Sequence, residues 1–195
     1  MSERRFRFMA VRITMDHLIK YVRTLIDDHE EDTDGAYFTD QDIQDRLDLN
    51  RRNLYREPLI GSETLAAGGT TEYHDYHSTW PFWESSTILQ DAQGTPLTPD
   101  ESDFLTGYWH FDTDTELYCL YLTGRRYDVY GTCAGLLINL VSRLRKEFNF
   151  TADGLTIQRI TQVRDLQEQA EMYRRMSWAS GNATQVKLVR KDITG

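Results

Sequence analysis

Apolar residues fall one helical turn apart in four stretches of the chain, and between the second and third of them the pattern changes character. Leu18, Ile19, Val22, Leu25 and Ile26 make the first stripe. Thr14 is placed to cap that helix, and Asp16 suits the positive end of its dipole. The second helix is shorter: Thr39 and Asp42 have the Thr-x-x-Asp spacing of a helix start, Ile43 and Leu47 continue the stripe, and Asn50 is a suitable stop. The third, from about Tyr127 to Phe148, is the widest. Val129, Tyr130, Cys133, Ala134, Leu137, Ile138, Leu140, Val141, Leu144 and Phe148 cover so much of its surface that it is expected to lie at the centre. Asp153-Gly154 then signals a tight turn, Leu155 to Ile160 reads as a short extended piece, and Thr161 caps a last helix through Met176. Val163, Leu166, Ala170 and Tyr173 form the inward face of that helix.

From Tyr55 to Thr123 no helical stripe persists. All four prolines, Pro58, Pro81, Pro96 and Pro99, lie here, and Gly68-Gly69 and Gly94 punctuate short aromatic and β-branched runs. Thr70 to His77 and Glu116 to Thr123 are the better strand candidates. The pattern predicts an α+β chain: a four-helix bundle core with a small antiparallel β module inserted in it. Residues 1–54 would be an N-terminal helical hairpin, 55–123 the β-rich insertion, 124–180 the central and C-terminal helices, and 181–195 a polar arm. Gly131 and Gly135 each cost about 1 kcal/mol relative to alanine inside a helix, and with Ala134 they predict close approach of a neighbouring helix.

Length changes little in this picture: 195 residues allow one domain, or one domain with an insertion. Charge changes more. The formal net charge is −9, and Asp27 to Asp48 carries Asp27, Asp28, Glu30, Glu31, Asp32, Asp34, Asp40, Asp42, Asp45 and Asp48 against the single base Arg46. Arg4, Arg5, Arg7 and Arg12 make the beginning basic, as Lys187, Arg190 and Lys191 do the end. An acidic chain of this kind argues against duplex DNA as a specific ligand. No apolar run approaches a membrane span, and no apolar signal region follows the first charged residues, so no membrane partner and no export by a standard signal are expected. Cys119 and Cys133 sit in apolar segments and are expected as free, buried thiols of a reducing compartment.

The chemistry on offer is thin. His74-Asp75-Tyr76-His77, with His110, could be ligands of a metal-dependent hydrolase. On a regular strand, however, positions 74 and 77 point to opposite faces. The acidic run lacks the ligand spacing and central glycine of a calcium loop. No phosphate-binding loop, dinucleotide fingerprint or nucleophile elbow is present, and no nucleophile has a base beside it. The expectation is a non-enzymatic protein with no catalytic residue, no cofactor and no metal. Tyr73, Tyr76, Trp80, Phe82, Trp83, Tyr108 and Trp109 read as sheet core and subunit contacts, with Trp80, Phe82, Trp83 and Trp109 the candidates for contact with another subunit or a tail protein.

Four landmarks, in order, carry a resemblance. They are Phe38-Thr-Asp-Gln-Asp-Ile-Gln-Asp-Arg-Leu-Asp; Trp83-Glu-Ser-Ser with Leu97-Thr-Pro; Leu122-Thr-Gly-Arg-Arg-Tyr-Asp-Val-Tyr; and Asp153-Gly154 before the last helix. Their order and spacing resemble the head-to-tail connector (adaptor, or neck) proteins of tailed bacteriophages. Gly131 and Gly135 depart from the run of alanines usual in that family. The resemblance implies a structural protein of the virion neck, assembled in the host cytoplasm as a homo-oligomeric ring of twelve copies. Such a ring docks on the portal protein, meets a tail or further neck protein below, and passes DNA only as cargo. It further implies a terminal arm that reaches the portal, here Val186, Lys187, Leu188, Val189, Arg190, Lys191 and Ile193. An acidic DNA-mimic inhibitor is the remaining expectation from another class.

Overall fold

The computed structural model describes residues 11–29, 36–66, 68–148 and 156–178. After a single 3-10 turn at Ile13–Met15, helices α1 (Asp16–Ile26) and α2 (Asp40–Leu49) lead into strands β1 (Arg51–Leu65), β2 (Thr71–His77), β3 (Ile88–Gln90), β4 (Pro96–Leu97), β5 (Glu101–Asp103), β6 (Tyr108–His110) and β7 (Cys119–Tyr127). Helices α3 (Val129–Phe148) and α4 (Thr156–Met176) follow.

The strands form one seven-stranded sheet in the order β4-β3-β7-β1-β2-β6-β5, and every pairing is antiparallel. This sheet dominates the fold, and the expected four-helix bundle core with a small β module is wrong. The element responsible is β1. Its 15 residues include Pro58 and Gly61, and only Leu59 and Gly61 are buried. Neither helical nor alternating periodicity marks it. It works as a strand because it changes partners: Arg51 to Ile60 pair with β7, and Ile60 to Leu65 pair with β2. At Pro58 only β7 lies alongside, so the missing N–H of proline leaves no second ladder incomplete. A bulge between Leu54 and Glu57, where Arg56 has φ +52°, interrupts the β7 ladder before the strand takes up β2 at Ile60. β1 and β7 thus run across the 54/55 and 123/124 boundaries that the sequence pattern marks.

Two apolar cores result. One joins Leu18, Ile19 and Val22 of α1, Ile43 and Leu47 of α2, Val129, Cys133 and Leu137 of α3, and Ala170 and Tyr173 of α4. α3 touches the other three helices of this layer or their flanks, as its wide apolar face predicts. The other core gathers Leu59, Tyr76, Trp83, Leu89, Trp109, Phe111, Leu120 and Leu122 within the sheet. Phe82 and Trp83 straddle them. Phe82 has φ +67°, and this left-handed turn sends its ring into the helical core while the next residue enters the sheet core.

Local chemistry follows the sequence in places. Thr39 and Asp42 form a reciprocal capping box at α2. Thr14 does not cap α1; it lies in the 3-10 turn, and its hydroxyl donates to Glu84 at 2.6 Å. α4 begins at Thr156, so residues 156–160 are helical rather than extended. The α3 glycines admit side chains, not a helix backbone. A Cβ on Gly135 would fall within the Arg46 guanidinium, and one on Gly131 would lie 2.8 Å from Oδ2 of Asp128 and 3.0 Å from Oγ of Ser177. Cys119 and Cys133 are free thiols, and burial raises the Cys133 pKa to about 12.

Leu137 is fully buried where α3 faces α1 and α2. Leu137→Ala is expected to cost about 2–5 kcal/mol through the cavity it leaves. A chemical-denaturation midpoint equal to that of the parent protein would show that this face of α3 does not organise the helical core.

Candidate functional site

The joint between the cores is a buried carboxylate. Glu84 is 1% exposed and accepts from Thr14 Oγ1 and from the Tyr127 hydroxyl, both at 2.6 Å, with the Arg125 guanidinium at 3.5 Å and that of Arg12 at 3.6 Å. Burial alone would raise its pKa. The two hydroxyl hydrogen bonds and the two arginines outweigh it and hold the group below the usual carboxylate value. Tyr127 is pushed the other way, by burial and by its bond to Glu84. Arg12 extends the network: its backbone N–H donates to Gln44 at 2.6 Å, and its guanidinium donates to Asp48 at 2.7 Å and to the Tyr127 hydroxyl at 3.1 Å. The segment before α1, helix α2, the turn after Phe82 and the end of β7 are therefore tied at one point.

Next to Tyr127, Arg126 is 5% exposed and lies between two indoles, 4.4 Å from the Trp80 ring and 4.1 Å from the Trp178 ring. Its cross-strand partner in the β1–β7 ladder is Arg52, which stands 4.9 Å from the same Trp178 ring. Like charges directly opposite in a ladder repel. Burial and Arg52 together lower the Arg126 pKa to about 10. Its Nε–H has no acceptor. Asp128 and Glu57 act on it only from beyond ion-pair distance, and both are engaged elsewhere. Asp128 accepts from Gly131 N at 2.8 Å and from Ser177 Oγ at 2.5 Å, and Glu57 accepts from Trp80 Nε1 at 3.3 Å. The sequence gives little sign of this cluster; two arginines beginning a strand and two more ending its partner are the only trace.

Of the four aromatic contact candidates, Trp83 and Trp109 are core residues, 0% and 1% exposed and paired edge to face, and Phe82 is buried among Tyr21 and Tyr130. Their apolar area is used inside the subunit. Trp80, at 42% exposed, keeps a surface of its own. The arm residues Val186, Lys187, Leu188, Val189, Arg190, Lys191 and Ile193 lie outside the described residues.

The histidines come closer together than strand alternation predicts. A register shift between Ser62 and Glu63 leaves His74 opposite no residue of β1 and turns it onto the outward face beside Asp75. The His74 and His110 rings stack with centroids 6.4 Å apart, and His77 lies 4.9 Å from the Tyr108 ring. Asp75 accepts from Tyr108 at 2.6 Å and pairs with His110 Nδ1 at 2.7 Å, while His74 bonds the Phe111 carbonyl at 3.0 Å and Glu72 at 3.3 Å. His74 and His110 thus each have their own acceptor. Among the described residues no three His, Cys, Asp or Glu side chains group as metal ligands. No described helix is long and apolar enough to cross a membrane.

The acidic run is partly neutralised by a residue outside it. Arg23, 4% exposed, donates to Asp28 at 2.7 Å, to Asp40 at 2.6 Å and to the Phe38 carbonyl at 2.9 Å, and Asp28 accepts from Tyr37 N at 2.7 Å. The two ends of the acidic segment are thereby held together at the start of α2.

No family model, curated protein or solved structure matches the chain.

Two outcomes test these placements. Tyr127→Phe removes one of the two hydroxyls that satisfy Glu84 and is expected to cost about 1–3 kcal/mol. The loss should appear above the ordinary glutamate pKa and fade as pH falls and Glu84 protonates; equal melting of parent and variant at pH 7 would contradict it. For His110, the bond to Asp75 raises its pKa. The stability this contributes is full below the unfolded histidine value and is lost as pH rises through the folded one. In Asp75→Asn the NMR titration midpoint of His110 should drop, and an unmoved midpoint would show that the pair does not form.

Proposed function

We propose that this chain is a structural adaptor that assembles as a ring and joins a portal to a tail or neck protein, in the manner of the phage connector proteins its landmarks resemble. The observation that carries the reading is where the two described ends of the chain lie. Arg12 bonds the Tyr127 hydroxyl and Trp178 stacks on Arg126, so both described ends of the chain meet the last two residues of β7, from opposite faces of the strand. Beyond these ends the sequence is basic on both sides, with Arg4, Arg5 and Arg7 before and Lys187, Arg190 and Lys191 after.

Other features support the same reading. The buried acids and bases at the joint bond each other rather than lining a cleft, and none pairs a nucleophile with a base. The two cores present a helical surface and a sheet surface on one rigid joint, as a protein placed between two partners needs. The chain's acidity suits a channel that must not hold DNA. Portal docking falls to the C-terminal arm, with Val186, Leu188, Val189 and Ile193 as apolar anchors and the basic side chains meeting carboxylates. Ordering such an arm costs about 1–2 kcal/mol per residue, so its contacts must be extensive.

Truncation after Gly181 is expected to leave the melting temperature of the isolated protein unchanged and to abolish attachment to portal-bearing capsids, read by co-sedimentation. Normal attachment of the truncated protein would remove the docking-arm role. Failure of the full chain itself to attach, with no ring seen by electron microscopy, would remove the adaptor reading.

A further inference from the structure

The Arg52–Arg126 pair sets two cations opposite each other in the β1–β7 ladder, and among the described residues the nearest acids, Asp128 and Glu57, act on Arg126 only from beyond ion-pair distance. Arg126 is almost fully buried with an unpaired Nε–H, Arg52 is exposed on the same face of the ladder, and the two share the Trp178 ring. Indole faces stabilise a guanidinium but carry no net negative charge. Two guanidinium forks beside two indoles form a receptor for a carboxylate carried on polypeptide: the forks supply charge-assisted hydrogen bonds, and the rings cover the apolar flank. An overall charge of −9 disfavours the phosphate backbone of a nucleic acid as the occupant.

The fold also places the complementary charge. The acidic segment that follows Asp28 begins and ends at the N-terminal end of α2, where Arg23 and Tyr37 hold Asp28. The arginine pair stands just past the other end of that helix, where the Asn50 carbonyl accepts from Asp128 N at 3.0 Å. A ten-residue helix separates them by roughly 15 Å. A surface with anions at one end and cations at the other fits a second copy head to tail, the contact type that generates rings.

We propose that the Arg52–Arg126 pair, walled by Trp80 and Trp178, receives the acidic residues Glu30, Glu31, Asp32 and Asp34 of a neighbouring copy of this chain. This rests on the ring reading, and one experiment with two arms separates the two. In the first arm, a synthetic peptide copying residues 27–35 is titrated into the full-length protein and followed by tryptophan fluorescence, with a peptide carrying Asn and Gln in place of the acids as control. Saturable binding that weakens with salt, and at least tenfold on Arg52→Gln and on Arg126→Gln, is the expected result. Because Arg52 is exposed, its variant keeps the test valid should Arg126→Gln fail to fold. Absence of binding, or equal binding by the control peptide or by the Arg52→Gln protein, overturns the proposal. In the second arm, sedimentation velocity compares parent, Arg52→Glu, and a variant with Glu30, Glu31, Asp32 and Asp34 neutralised. Loss of the ring in both variants supports the contact, and intact rings in both overturn it. A parent protein that binds the peptide yet never assembles overturns the neighbouring-copy contact and the ring together, leaving only a carboxylate receptor.

Discussion

Burial of the Glu84 carboxylate is the constraint on which the rest of this fold turns. A charge removed from water is tolerated only where partners replace its solvation. Here those partners come from residues far apart in the chain: Thr14 and Arg12 ahead of α1, and Arg125 and Tyr127 at the end of β7. Satisfying one side chain therefore fixes how the helical layer sits on the sheet. The left-handed turn at Phe82, immediately before, aims adjacent aromatic rings into the two cores and seals both sides of the joint.

The sheet is organised by a strand that belongs to two ladders. β1 gives its first part to β7 and its last part to β2, and this exchange joins a meander that would otherwise be two small sheets. The exposed edges at β4 and β5 are two and three residues long, too short to invite uncontrolled pairing with another copy. Edge-to-edge pairing is thereby left little purchase.

Charge is distributed to match. Arg23 gathers the two ends of the acidic segment at the start of α2, while Arg52 and Arg126 remain unpaired beyond its far end. Since most surface ion pairs contribute little, the cations that count are those already desolvated, and Arg126 is the clearest of them. In a ring, the same arrangement would place acidic and basic ends in register from copy to copy.

By itself the sequence determined the four helices and the cap of α2, because amphipathic periodicity and a Thr-x-x-Asp start are local signals. The same locality made the 71–77 and 119–123 strands legible. What only tertiary structure decided was the dominance of the sheet. β1 has no alternating pattern, contains proline and glycine, and is held by neighbours more than fifty residues away at β7, so no window of sequence encodes it. Bulges and left-handed residues were equally silent: the extra residue at His74 brought three histidines to one face, and Phe82 split a pair of aromatics between two cores. The Arg52–Arg126 cluster depends on a cross-strand register and on the end of α4 returning to β7. Such a pairing exists only once the long-range contacts have formed, which is why charge counting along the chain saw an acidic protein and missed its facing arginines.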